Sequence, residues 1–195
     1  VSYRTKYDLI NQKCLSVIGP TTDPQRPTGL KEGDRMETPR GKEELIEVFG
    51  NIYEYINEDG TLKSREWEDK ILGFCYLPFP MILAWDKSKT ILRFRCHKLL
   101  SGTFDLVFKI ILHEKLEGYC QYFGGCYSFR VQVGSKKVTT HAWAVSIDLN
   151  PETNQLGTEG DIHQGIVKVF EDQGFVHGRG FKRLDPMHWQ FIKNY

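Results

Sequence analysis

The 195-residue chain is long enough for one domain with a substantial core, and 40% apolar with 26% charged residues is an ordinary globular composition. A net charge of +1 leaves no basic excess for nucleic acid and no attraction to an acidic membrane surface. The longest apolar run, Phe74 to Trp85, is interrupted by Pro78 and Pro80 and is too short to span a bilayer. The opening residues carry Arg4, Lys6, Asp8 and Lys13 and so lack the apolar block of a secretory signal.

Residues 1–37 match no periodic template. From Gly19 to Gly41 the chain is rich in Pro, Thr, Gly and charge, which reads as an extended arm ahead of a domain spanning 38–195. A short helix is predicted next. Thr38 is placed to cap it, Pro39 to open it, Glu43 and Glu44 to face its positive end and Gly50 to stop it. Met81 to Trp85 and Thr90 to Cys96 flank Asp86-Lys87-Ser88-Lys89, predicting a hairpin with that polar turn. Phe104, Val107, Phe108, Ile111 and Leu112 fall at helical spacing within Leu100 to Leu116. A second apolar stripe, Ile166, Val167, Val169 and Phe170, predicts a helix over His163 to Gln173, with Gly174 ending it. Strands are expected at Cys126 to Val133, Ala144 to Leu149 and His188 to Ile192. Without a regular βαβ rhythm the class is α+β.

Five cysteines (Cys14, Cys75, Cys96, Cys120 and Cys126) form no Cys-x-x-Cys pair, which argues against a thiolate zinc site. They read as buried reduced thiols, with a local Cys120–Cys126 disulfide across Gly124-Gly125 as the minor alternative.

Two segments carry chemistry. In Thr139-Thr140-His141-Ala142-Trp143-Ala144-Val145-Ser146-Ile147-Asp148, residues from Ala144 on alternate, so Val145 and Ile147 face a core while Ser146 and Asp148 face the other way. The odd offset from His141 to Asp148 brings the two together only if the chain bends near His141. Taken alone, the segment reads equally well as an edge strand with a loop histidine. In Asp185-Pro186-Met187-His188-Trp189-Gln190-Phe191, Pro186 keeps Asp185 in a loop, and His188 opens a strand whose Trp189 and Phe191 point to the core. Together they supply two His, an Asp and a spare carboxylate. Hydrolytic zinc requires such a set: three N/O ligands, an open position and an adjacent base. His97, His113 and His163 read as surface residues.

This pattern resembles the zinc D-Ala-D-Ala carboxypeptidase family, which includes phage L-alanyl-D-glutamate endolysins. Its Ser-x-His-x-x-Gly-x-Ala-x-Asp stands here as Thr139-x-His141-x-x-Ala144-x-Ser146-x-Asp148, and its Asp/Glu-x-x-His as Asp185-x-x-His188. Gly124-Gly125-Cys126-Tyr127-Ser128-Phe129-Arg130 resembles the family segment that ends in an arginine, and Gly174-Phe175 with Gly178-x-Gly180 the turn before the last motif. Ala144 and Ser146 depart from Gly and Ala, and His177 from a frequent Trp. The resemblance covers residues 95–195. It implies Zn2+ held by His141, Asp148 and His188, Asp185 as general base and acid, and Arg130 stabilising the oxyanion. It further implies a fold like that of the D,D-peptidases and the Hedgehog domain. The implied substrate is a peptidoglycan stem peptide, cut by a monomer without nucleic acid or membrane. The chain would be made in a cytoplasm and act on the bacterial wall during phage lysis or from a virion. A tail-associated wall-degrading component and a non-enzymatic zinc-stabilised module are the alternatives. The module is disfavoured because a structural site closes four ligands and needs no base.

Overall fold

A computed structural model describes residues 36–131 and 137–195. The hairpin β1 (Leu72–Leu83) and β2 (Asp86–His97) opens a six-stranded sheet completed by β3 (Tyr122–Gly125), β4 (Ser146–Leu149), β5 (Val176–His177) and β6 (His188–Gln190). The order is β2-β1-β3-β4-β6-β5, with only β1 and β3 parallel. Helices α1 (Gly41–Phe49), α2 (Glu66–Ile71), α3 (Ser101–His113) and α4 (Gln164–Asp172) complete a single α+β domain. None is long and apolar enough to cross a membrane among the described residues.

The core forms where α3 lies on β1 and α4. The ring of Phe104 meets Phe94 and Phe175, and that of Phe108 meets Phe79, Phe94 and Phe170, mostly edge to face. Such geometry opposes the positive ring edge to the negative face. The helical stripe is therefore as expected, although Leu112 at its end is exposed.

Several local readings are corrected. The hairpin turns at Ala84-Trp85, because Leu83 pairs with Asp86, and the polar run belongs to β2. That strand is a sheet edge, where lysines and arginines discourage pairing with another chain. Thr38 does not cap α1. Its hydroxyl donates to the Gly174 carbonyl (2.6 Å), while Arg40 precedes the helix and donates its backbone N–H to the Glu44 carboxylate. Gly50 does stop α1, at φ 95°. The strand expected at 126–133 is absent from its described part: pairing ends at Gly125, and only Val131 bridges, to Val138. The strand expected from Ala144 starts at Ser146 and is central, buried on both faces, rather than an edge. His97 is buried, not a surface residue: its Nδ1 accepts from Leu99 N–H and its ring meets Phe49 edge-on. Cys75, Cys96, Cys120 and Cys126 are buried and free, so no Cys120–Cys126 disulfide forms. Cys14 and residues 1–35 of the expected arm lie outside the described residues, whereas Met36 already packs against the core.

Candidate metal centre

The bend that the His141–Asp148 offset requires is present. Thr140–Trp143 forms a single 3-10 turn and Ala144 follows in the left-handed region (φ 54°, ψ 33°), so the chain reverses before β4 begins. Left-handed backbone is costly for a residue with a Cβ, and surrounding bonds hold it there. Trp67 Nε1 donates to the Ala142 carbonyl and Trp143 Nε1 to the Gly50 carbonyl, each at 2.9 Å. His97 N–H donates to the Ala144 carbonyl, also at 2.9 Å. Trp143 thus braces the turn.

Beyond the bend, β4 and β6 pair with Asp148 directly opposite His188 and Ser146 opposite Gln190. Period-two alternation puts these four on one face. His188 Nδ1 lies 2.9 Å from Asp148 Oδ1 and 3.2 Å from His141 Nε2, and His141 Nε2 lies 3.3 Å from Asp148 Oδ1. The three residues form a group able to hold a metal ion. A tetrahedral zinc with bonds of about 2.0–2.1 Å separates its ligand atoms by about 3.3–3.4 Å, close to this triangle. His141 Nδ1 is 2.8 Å from the Cys126 carbonyl. Because a carbonyl only accepts, Nδ1 carries the proton and Nε2 presents its lone pair to the centre. Gly124 gives Asp148 room: a Cβ there would come within 3.0 Å of the Asp148 Cβ and carbonyl oxygen.

The charges are coupled. Burial pushes the Asp148 carboxyl up, but the His141 and His188 imidazoles outweigh it and hold the group well below the usual carboxylate range. Burial pushes His188 down, and its contact with Asp148, aided by Asp185, raises it above its ordinary value. Asp148 and His188 therefore each favour the charge of the other, and a divalent cation bound there would take the place of the imidazolium proton.

Asp185 sits at the mouth of β6, where its carbonyl accepts from His188 N–H (3.0 Å). Its loop is pinned on several sides. Asp185 N–H donates to Gly178 O (3.0 Å), Gly157 N–H to Leu184 O (2.7 Å) and His177 Nε2 to Pro186 O (2.8 Å). The carboxylate itself is poorly satisfied: among the described residues its Oδ1 is buried with no hydrogen-bond partner. Burial raises its pKa, against the charge of His188 and with that of Asp148. A carboxylate held this way is a stronger base than a solvated one and has an acceptor free for water. Arg130 is exposed, beside Tyr53, Ile56, Leu62 and Phe129 on an open cleft, and its charge lowers the Asp185 pKa. The structure thus gathers His141, Asp148, His188 and Asp185, with Arg130 at the margin.

Residues 133–191 match the family model described as D-alanyl-D-alanine carboxypeptidase. The match spans under a third of the chain, takes in His141, Asp148, His188 and Asp185, and stops short of Arg130. It supports that broad family and, with the ligand group, a metal-dependent peptidase. No curated protein and no solved structure matches the chain.

Sequence reasoning passed over some of the residues that build the site. His177, which stands where the family frequently has Trp, stacks on Trp189, and its Nε2 is committed to the Pro186 carbonyl. The sequence alone assigned Gln190 and Thr140 no role and marked Ser146 only as a departure from the family's alanine. The available signal was that Ser146 and Gln190 lie two residues from ligands on the same strand face.

Proposed function

We propose that this chain is a zinc peptidase that hydrolyses a peptide bond in the stem peptides of bacterial peptidoglycan. The observation that carries the proposal is the 2.9–3.3 Å triangle of ligand atoms beside the unpaired, buried Asp185 oxygen. A closed structural site would fill the fourth position with protein and would not need a base next to it. The match to the carboxypeptidase family model and the resemblance of the Thr139–Asp148 and Asp185–His188 motifs support the substrate class. The cell wall is accordingly the proposed place of action, and 38–195 the proposed catalytic domain.

His141 Nε2, Asp148 Oδ1 and His188 Nδ1 would hold the zinc. When bound, zinc acidifies water and polarises the carbonyl it faces. Asp185 Oδ1 takes the proton from the attacking water and returns it to the nitrogen of the leaving amine, so one carboxylate acts as base and then as acid. Arg130 donates from its guanidinium to the oxygen that becomes negative in the tetrahedral intermediate, which contributes roughly 3 kcal/mol when such a donor is well aimed.

The experiment compares Asp185→Ala with His188→Ala, following hydrolysis of purified cell walls by mass spectrometry of released muropeptides and zinc by elemental analysis. Asp185→Ala should keep its zinc while turnover falls ~10²-fold or more. His188→Ala should lose zinc. Near-normal hydrolysis by Asp185→Ala would remove Asp185 from the mechanism, and activity that survives complete metal removal would remove the proposal.

A further inference from the structure

His188 meets the metal triangle through Nδ1, so its other nitrogen must carry a proton and find an acceptor. Its surroundings are buried: His188 is 7%, Gln190 5%, Thr140 4% and Ser146 0% exposed. His188 Nε2 lies 3.3 Å from Gln190 Oε1 and 3.5 Å from Thr140 Oγ1. The Gln190 amide is oriented by its far end, where Nε2 donates to the Ile192 carbonyl at 3.0 Å. Since that carbonyl only accepts, the NH2 faces it and the amide oxygen turns back to His188. Thr140 Oγ1 donates to the same oxygen (3.4 Å), and Ser146 Oγ donates to Thr140 Oγ1 (2.5 Å). All the bonds then run one way, with Ser146 feeding Thr140, and Thr140 and His188 both donating to Gln190. The hydroxyl of Thr140, already spent on Gln190, cannot also serve His188 as a second donor, so nothing competes with the Nε2–H tautomer.

We propose that Gln190 is a positioning residue that, locked by Ile192 and supported by Thr140 and Ser146, fixes His188 as an Nδ1 metal ligand. The serine belongs to the same device: where the related family places alanine, this chain places the hydroxyl that sets the direction of Thr140. The inference rests on the zinc reading above and extends it to residues outside the ligand set. Groups that hold the remote nitrogen of a ligating histidine typically contribute 10–100-fold to metal affinity.

The test titrates zinc into the full chain and its variants in competition with a chromogenic chelator, with the thermal midpoint of the metal-free protein recorded in parallel. Gln190→Leu, which keeps bulk but removes the acceptor, should weaken zinc binding ~10–100-fold. Gln190→Glu, which keeps an acceptor for the Nε2–H but gives up the bond to the Ile192 carbonyl, should recover part of that loss. Equal affinity for parent and Gln190→Leu, or equal weakening by Leu and Glu, would overturn the proposal. Should Gln190→Leu fail to fold, the nitrogen-15 imidazole spectrum of the zinc-loaded parent decides. Ligation of His188 through Nδ1 with a slowly exchanging Nε2 proton supports the relay, and ligation through Nε2 refutes it. A parent chain that binds no zinc would instead refute the metal site itself.

Discussion

Replacing Gly178 with alanine moves the proposed base without substituting it. A Cβ on Gly178 would lie 2.2 Å from the Asp185 carbonyl oxygen and 3.0 Å from its carbonyl carbon and Cβ. Ordinary contact begins near 3.4 Å, so the Asp185 backbone must retreat by about 1 Å, as overpacked sites generally must. It cannot do so freely, because Asp185 donates its N–H to Gly178 O and accepts His188 N–H at its own carbonyl, each at 3.0 Å. Overpacking of this kind costs about 1–3 kcal/mol of stability, and a misplacement of about 1 Å at a reacting group costs roughly 10²-fold in rate. The ligand atoms are carried by β4, β6 and the 140–143 turn, so zinc affinity should fall by less than about tenfold, against 10–100-fold for loss of a group that holds a ligand. Gly180→Ala is the control, since no atom lies within 4 Å of a Cβ there. Stem-peptide hydrolysis by chromatography, zinc content by elemental analysis and thermal midpoints by circular dichroism separate the effects. Wild-type turnover in Gly178→Ala, or an equal loss in Gly180→Ala, would refute the placement of Asp185.

Ala144→Gly relaxes a left-handed residue but gives up a buried methyl and gains chain entropy. Its unfolding free energy should stay within about 1 kcal/mol of the parent, whereas the β-branched Ala144→Val should lose more than about 2 kcal/mol in the same urea titration. Burial holds His97 down at about 4 from 6.5. Its neutral form therefore stabilises the fold fully above pH 6.5, and that contribution is lost as pH falls through about 4, by about 3 kcal/mol in all. Urea midpoints of His97→Asn, which keeps an acceptor for Leu99 N–H, should show a correspondingly shallower decline between pH 7 and pH 4, and parallel curves would contradict this. A chain shortened to begin at Met36 should retain its zinc and a cooperative melt, because the sequence ahead of it lacks periodicity and Met36 already packs against the described core; loss of either would assign residues 1–35 a structural part.

The candidate metal group was legible because its chemistry is rare in combination, and the odd spacing of His141 and Asp148 even specified a bend. What produces the bend was not legible. An alanine in left-handed backbone is held by Trp67, Trp143 and His97, and long-range bonds of that kind leave no local signature. His97 looked exposed for the same reason: its pocket is made by Phe49, distant in sequence. β3 ends at Gly125, whose φ of 126° departs from extended backbone, whereas β-propensity alone favoured the following Tyr-Ser-Phe. The hairpin turn was displaced because polar residues on an exposed edge strand resemble a loop. Ser128 and Arg130 are exposed and Phe129 and Val131 half-buried, the alternation of a strand, even though none forms over these residues.

Cys75, Cys96, Cys120 and Cys126 are enclosed in the core, and burial pushes their thiols up, to about 12 for Cys96 and Cys120. Since the thiolate is the reactive form, none of the four can be alkylated while the surrounding layers remain closed. They amount to an internal clock. The pace at which a small alkylating reagent consumes them reports how often each layer opens. Cys126, whose carbonyl holds His141, times the neighbourhood of the metal site, and Cys75 times the hairpin side. Zinc should slow the first more than the second, so the energetic reach of the ion into the fold can be read without any substrate.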